Sequence, residues 1–197
     1  MICVFVNIIF LLGMVAYVRR SKGLIRTMEI KGSARPNVSM ALLILSFGLA
    51  LRALLDVNMI EISKLLLYAG VITTLGTFLY LYDNAEIKLS NSHKWLVILW
   101  TILWIGASTY GSLVILNKEL DESPSLTFHT SITGKHVNSG KSTTYYIEFK
   151  PWDPLLDIDD ITVSRDEYEN YIVGQTIAVK VKKGFFNFRW FYIVGNY

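Results

Sequence analysis

The sequence has few of the residues from which metal centres are usually built. It contains one cysteine, Cys3, and three histidines among its 197 residues. A single cysteine excludes a disulfide within the chain, and zinc sites take three or four ligands, usually in close His and Cys pairs. His129 and His136 have no third His or Cys nearby. We therefore expect exposed histidines, no metal site and no bound cofactor.

Charged residues are also scarce, at 18% of the chain, and no catalytic arrangement stands out. Ser139 and Lys141 come nearest to a Ser–Lys pair, but such a pair needs a desolvated lysine, and the stretch NSGKS offers no burial. The acidic run from Asp153 to Asp160 lacks the Gly and Glu of an EF-hand loop and is typical of a solvated turn, with calcium left open. We expect no catalytic residues.

Long apolar runs dominate the first 117 residues. A helix needs about 20 apolar residues to cross a hydrocarbon layer about 30 Å thick. Four segments approach that length, and three of them contain no charged residue. The sequence therefore predicts a four-helix transmembrane domain over residues 1–117. The predicted spans are residues 2–18, 40–55, 65–82 and 95–116.

Polar residues within the predicted spans are few. Arg52 and Asp56 are four residues apart, so they share one helix face and are expected to form an ion pair at the membrane boundary. No Asp, Glu, Lys or His lies at mid-span, which gives an ion pathway no carrier. The fourth span has small residues spaced four apart, which let helices approach closely. The predicted helix-packing residues are Gly106, Ala107, Ser108, Gly111 and Ser112.

Lys and Arg are unevenly distributed among the loops. Residues 19–37 carry six and residues 83–94 carry two, against Lys64 and Lys118 at the other helix ends. Cytoplasmic loops are enriched in Lys and Arg, so residues 19–37 and 83–94 are predicted to be cytoplasmic. The N-terminus and the C-terminal domain would lie outside the cytoplasm, in an inner or plasma membrane. The lipid bilayer is an expected partner, and no nucleic acid is.

Residues 118–197 are polar and alternate with period two, as half-buried strands do. Ser164 and Glu167 have the spacing of a helix capping box, and Gly174 is placed to end that helix. Residues 134–142 are expected to form a mobile loop between the first two strands. The predicted order, strand–strand–strand–helix–strand–strand, is that of the OB-fold, a small β-barrel. An SH3-like barrel and an open sheet are alternatives.

The segment VSRDEYENYIVGQTIAVKVKKGFFNFRWFYI, residues 163–193, resembles the C-terminal end of small bacterial membrane proteins. In those proteins a Tyr-containing helix leads to a Gly and then to a Val-rich strand. The overall plan, membrane helices followed by an OB-like barrel, is similar to that of NfeD-like proteins. The resemblance implies an architecture, a membrane α-helical domain plus a small OB-like β-barrel, and no particular activity.

Basic and aromatic residues meet in the loop between the last two strands. In an OB-fold this loop and the loop between the first two strands flank the ligand face. Phe185 and Phe186 are expected to fill the core; the alternative is an exposed anchor for a protein, a glycan or a membrane surface. The candidate binding surface comprises Lys183, Phe185, Phe186, Asn187, Arg189, His136 and Lys141.

These features together predict a membrane-anchored, non-enzymatic interaction module. Its extracytoplasmic barrel would bind another protein or an envelope component, and toxin immunity is one version of that function. A second hypothesis is a structural or assembly accessory subunit of a larger membrane complex. A third is an enzyme with an unrecognised site.

Overall fold

The computed structural model describes residues 2–29, 34–82, 84, 94–140, 143–151 and 160–194. The chain divides into two compact units. The first comprises Met1–Glu122 together with Gly184–Phe188, and the second comprises Ser123–Lys183 together with Arg189–Tyr197. The chain therefore passes between the units three times.

The first unit is helical. Its elements are α1 (Ile2–Arg20), α2 (Ser39–Asp56), the two-residue strand β1 (Asn58–Met59), α3 (Ile62–Leu81) and α4 (Lys94–Glu119). Among the described residues, α2, α3 and α4 are long and apolar enough to cross a membrane. These three helices contain the second, third and fourth predicted spans. The prediction that residues 2–18 also cross remains a prediction, although they are helical.

Apolar side chains and a few long-range polar contacts hold the helices together. Leu11, Leu42, Tyr80 and Trp104 form one buried cluster that joins all four helices. The amide of Asn7 donates to the Leu45 carbonyl oxygen at 3.0 Å. The Asn7 amide nitrogen is therefore satisfied by a neighbouring backbone, whereas its Oδ1 has no hydrogen-bond partner among the described residues.

The second unit is a curled antiparallel sheet with one short helix. Its elements are β2 (Leu126–Ser139), β3 (Thr143–Phe149), β4 (Asp160–Val163), α5 (Arg165–Asn170), β5 (Thr176–Lys182) and β6 (Trp190–Val194). The strands lie in the order β6-β5-β2-β3-β4. The register of β2 shifts between Ile132 and Gly134; its first half pairs with β5 and its second half with β3. The sheet thereby curls into a half-barrel, and the predicted element order is confirmed.

One face of this sheet carries the core of the second unit. Ile132, Ile147, Phe149, Tyr171 and Ile177 are buried together, and Ile161, Val163 and Ile193 pack against them. The alternation of β3 sends Ile147 and Phe149 into this core, so Tyr146 and Glu148 lie on the opposite face. That second face is where side chains of β2 and β3 remain available for contacts.

Two local predictions are wrong. Residues 134–139, expected in a loop, belong to β2 and pair with Thr143–Glu148 of β3, because cross-strand pairing overrides the weak strand propensity of Gly, Ser and Lys. Helix α5 begins at the predicted capping box of Ser164 and Glu167 but ends at Asn170, before Gly174. Lys135 closes that end by donating to the carbonyl oxygens of Tyr168 and, at 2.7 Å, Tyr171.

Candidate functional site

The predicted binding surface divides between the two units. Phe185, Phe186 and Asn187 lie in the first unit, within a segment that we call the aromatic loop, Gly184–Phe188. Lys183, Arg189 and His136 lie in the second unit. Lys141 lies outside the described residues.

Asn117 of α4 binds the aromatic loop through both its side chain and its backbone. Its Nδ2 donates to the Phe188 carbonyl oxygen at 2.8 Å, and its Oδ1 accepts from the Phe186 amide at 2.9 Å. Its carbonyl oxygen accepts from the Phe185 amide at 3.0 Å. Asn117 is fully buried. Because unpaired buried amides are costly, these bonds fix the loop backbone onto the end of the helix.

Gly184 lets the chain approach Asn117 this closely. Its φ is +77°, and a Cβ there would collide with the Asn117 side chain and the Phe188 carbonyl oxygen. Its amide donates to the Asp121 carboxylate at 3.0 Å. The position therefore requires glycine both for its backbone conformation and for space.

The beginning of α3 supplies the other contacts of the aromatic loop. Phe188 is only 2% exposed, and its ring meets the Tyr68 ring edge-on at a centroid distance of 5.4 Å. Lys64 donates to the Asn187 carbonyl oxygen at 3.2 Å, and its Nζ lies 5.8 Å from the centre of the Phe188 ring. Two helices of the first unit thus hold the loop.

Phe185 and Phe186 do not fill a core. Their side chains are 55% and 37% exposed, and their rings meet edge-on at 5.0 Å. The expectation that both are buried is wrong. The reason is that Phe188, two residues after Phe186, occupies the buried position. The turn closed between Gly184 and Asn187 directs the rings of Phe185 and Phe186 outward.

His136 lies within β2 and belongs to an ordered group on the outer face of the second unit. Its ring stacks on Tyr146 of β3 at 4.7 Å with an interplanar angle of 9°. Its Nδ1 lies 2.9 Å from a carboxylate oxygen of Glu148, and the His136 and Glu148 side chains are 45% and 47% exposed. We call His136, Tyr146 and Glu148 the β2–β3 cluster. It offers an aromatic surface, a carboxylate and an imidazole in fixed positions.

The predicted helix-packing residues divide between two neighbours. Gly111 lies against α2, where an added Cβ would be 2.7 Å from the Leu49 carbonyl carbon. The Ser108 hydroxyl donates to the Ser46 hydroxyl of α2 at 2.7 Å. Gly106 faces Thr73 of α3 instead. Ala107 and Ser112 are half-buried.

The predicted boundary pair is present in the structure as an ion pair. The Arg52 Nε donates to the Asp56 carboxylate at 3.1 Å, and the two side chains are 44% and 48% exposed. Lys118, at the end of α4, donates to the Asp56 carbonyl oxygen at 2.9 Å. The pair therefore lies where the end of α2 meets the end of α4. At this exposure its contribution to stability is small.

Candidate chemistry is sparse in the described part of the chain. No group of three or more His, Cys, Asp and Glu side chains there is arranged to hold a metal ion. Ser139 and His129 are exposed, and Asp153, Asp157 and Asp159 lie outside the described residues.

Sequence reasoning did not single out Asn117, Tyr146 or Glu148 as site residues. Asn117 had one signal, an amide within the last turn of an otherwise apolar helix. The two β3 residues had none, because they face His136 only through a strand register that the sequence did not reveal. Comparisons with protein-family models, with curated proteins and with solved structures give no match.

Proposed function

We propose that this chain is a membrane-anchored, non-enzymatic interaction protein. Its second unit is an OB-like domain outside the cytoplasm that binds another protein of the envelope. Four spans hold it in the membrane, with α1 as the fourth. The residues of α1 are uncharged until Arg19 and Arg20 in its last turn, which suits a helix that ends at a cytoplasmic boundary.

The β2–β3 cluster is the observation that carries this proposal. Its three side chains lie on the face of the sheet opposite the buried core, and they constrain each other by stacking and by the contact between His136 and Glu148. Ordered aromatic side chains lose little entropy on binding, and aromatic residues are enriched among the side chains that dominate protein interfaces. This surface fits a partner that packs an apolar group against the stacked rings and donates a hydrogen bond to Glu148.

The strand arrangement supports an OB-like assignment. A long first strand, β2, is shared by both halves of the sheet, and a helix lies between the third and fourth strands of the unit. Among the described residues, β4 pairs with β3 alone and ends the order of strands. Thr162 of β4 pairs with Tyr146, so the other edge of β4, which pairs with no strand among the described residues, lies one strand away from the cluster. An edge strand is a site at which a partner can add a strand of its own.

The experiment places a photo-crosslinking benzoyl-phenylalanine at Tyr146 of the full-length chain in native membranes. Irradiation is expected to give one discrete adduct, which weakens several-fold when Glu148→Ala is added. The matched control carries the same amino acid at Thr127, which is exposed on the same strand as His136 but outside the cluster. Equal yields at the two positions, or none at either, would overturn the proposal.

A further inference from the structure

The aromatic loop leaves two phenylalanine rings exposed although the amides of Gly184 to Asn187 are all hydrogen-bonded. The amides of Phe185 and Phe186 both donate to Asn117, and the Asn187 amide closes the turn on the Gly184 carbonyl oxygen at 3.0 Å. Phe185 is 55% exposed even so. The loop is therefore a built feature that holds its rings outward, and exposed apolar area of this kind is unfavourable in water.

The helix residues that hold the loop fix its level along the helices. Lys64 lies in the first turn of α3, and Asn117 lies in the last turn of α4. Helix α4 has 26 residues and is about 39 Å long, which exceeds a hydrocarbon core of about 30 Å. Its last residues, Lys118 and Glu119, are charged. If α3 and α4 cross the membrane, the loop lies at one boundary of the hydrocarbon.

Charged groups of both signs lie at the level of the loop, since the Asp121 carboxylate accepts from the Gly184 amide and two lysines lie at the helix ends. The Lys64 ammonium lies beside Asn187 and Phe188, and Lys118 ends α4 one residue beyond Asn117. Phospholipid phosphates carry negative charge at the depth where helix-end lysines reach the interface. Exposed apolar rings beside charged groups, at the ends of two long apolar helices, suit the interfacial layer, where acyl chains meet headgroups.

We propose that Phe185 and Phe186 insert into the interfacial layer of the bilayer beside the ends of α3 and α4. The aromatic loop is then a lipid-binding anchor, and its occupant is the phospholipid leaflet itself rather than a protein. This inference rests on the spans of the proposed function. It is separate from the β2–β3 cluster, because its contacts lie wholly within the first unit.

Depth-dependent fluorescence quenching tests this assignment. In a full-length Cys3→Ser background, single cysteines replace Phe185, Val71 or Val137 and carry an environment-sensitive nitrobenzoxadiazole dye. The labelled proteins are reconstituted into vesicles of phosphatidylethanolamine and phosphatidylglycerol. Some vesicles contain a lipid with a nitroxide near the carbonyl end of its chain, and others contain a lipid with the nitroxide near the chain terminus. All three native side chains are apolar and exposed, at 55%, 55% and 41%, so the labels should leave the thermal unfolding temperature unchanged.

The label at Phe185 is expected to be quenched several-fold more by the shallow nitroxide than the label at Val137, in the second unit. The label at Val71, in the middle of α3, should respond most to the deep nitroxide. Suppose that the label at Val71 is quenched but the label at Phe185 is quenched no more than the label at Val137. That result would overturn the lipid anchor but not the spans, and the exposed rings would then be a contact for a protein partner. Absence of quenching at Val71 would overturn the spans and the anchor together.

Discussion

At the scale of single residues, the contact between Gly184 and Asn117 determines whether the aromatic loop can form. Asn117 satisfies a carbonyl and two amides of the loop, and it can do so only because no side chain at Gly184 stands in the way. Sequence reasoning placed this segment correctly in the loop between the last two strands. It could not foresee that the turn packs against α4, because the hydrogen bond from Asn117 to Phe188 joins residues 71 positions apart.

Gly184→Ala is expected to destabilise the protein by about 3–5 kcal/mol, since it combines left-handed strain with the displacement of Asn117. Gly174→Ala is the matched control. Gly174 also has a positive φ, +89°, but an added Cβ there meets nothing within 4 Å, so strain alone should cost about 1–2 kcal/mol. The thermal unfolding temperature in detergent, followed by near-UV circular dichroism, measures both. Equal losses would show that the close packing of Gly184 is not important.

At the scale of elements, the long apolar runs predicted the bounds of three helices closely. An apolar segment in a bilayer must satisfy its own backbone hydrogen bonds, which leaves little choice of secondary structure. Helix α2, for example, extends only one residue beyond the predicted span at each end. The strand pattern was less informative. Gly134 and Ser139 read as loop residues, yet pairing with β3 makes them part of β2. Pairing between strands depends on partners distant in sequence, so local composition cannot reveal it.

The small residues of α4 also have a role that spacing alone did not assign. They were expected to pack helices, without a particular partner helix. The structure places Gly111 against the backbone of Leu49 within the same chain. A bulky residue at Gly111 would therefore disturb the fold itself. Ala107, which is half-buried, is the better position at which to test association with other subunits.

Gly111→Ala is expected to destabilise the helical unit by about 1–3 kcal/mol, because the added methyl meets the α2 backbone rather than a side chain that can move. Gly70→Ala is its control: Gly70 lies within α3, and nothing lies within 4 Å of an added Cβ. Alanine favours helix by about 1 kcal/mol over glycine, so this variant should be neutral or slightly more stable. Thermal unfolding in the same detergent compares the two. A loss for Gly70→Ala as large as that for Gly111→Ala would contradict the assigned packing.

At the scale of the whole molecule, the distribution of Lys and Arg leads to a definite orientation. Some of these residues also have structural roles: Arg19 donates to the carbonyl oxygens of Leu79 and Tyr82 at 3.3 and 2.9 Å, at the end of α3. Such a contact does not weaken the charge argument, because a cation at a helix C-terminus still lies outside the hydrocarbon. The first loop and the end of α3 share one side of the predicted membrane.

Cysteine labelling in intact cells checks this orientation. In a Cys3→Ser background, single cysteines replace Ser139, exposed at the end of β2, or Leu24, 71% exposed in the first loop. A membrane-impermeant thiol reagent should label Ser139→Cys before lysis and Leu24→Cys only after it, since the basic loop is held in the cytoplasm. The reverse pattern would place the second unit inside the cell, where its partner would be a cytoplasmic molecule. Labelling of both before lysis would mean that an even number of crossings separates the two positions, and the four-span arrangement, which puts three between them, would have to be abandoned.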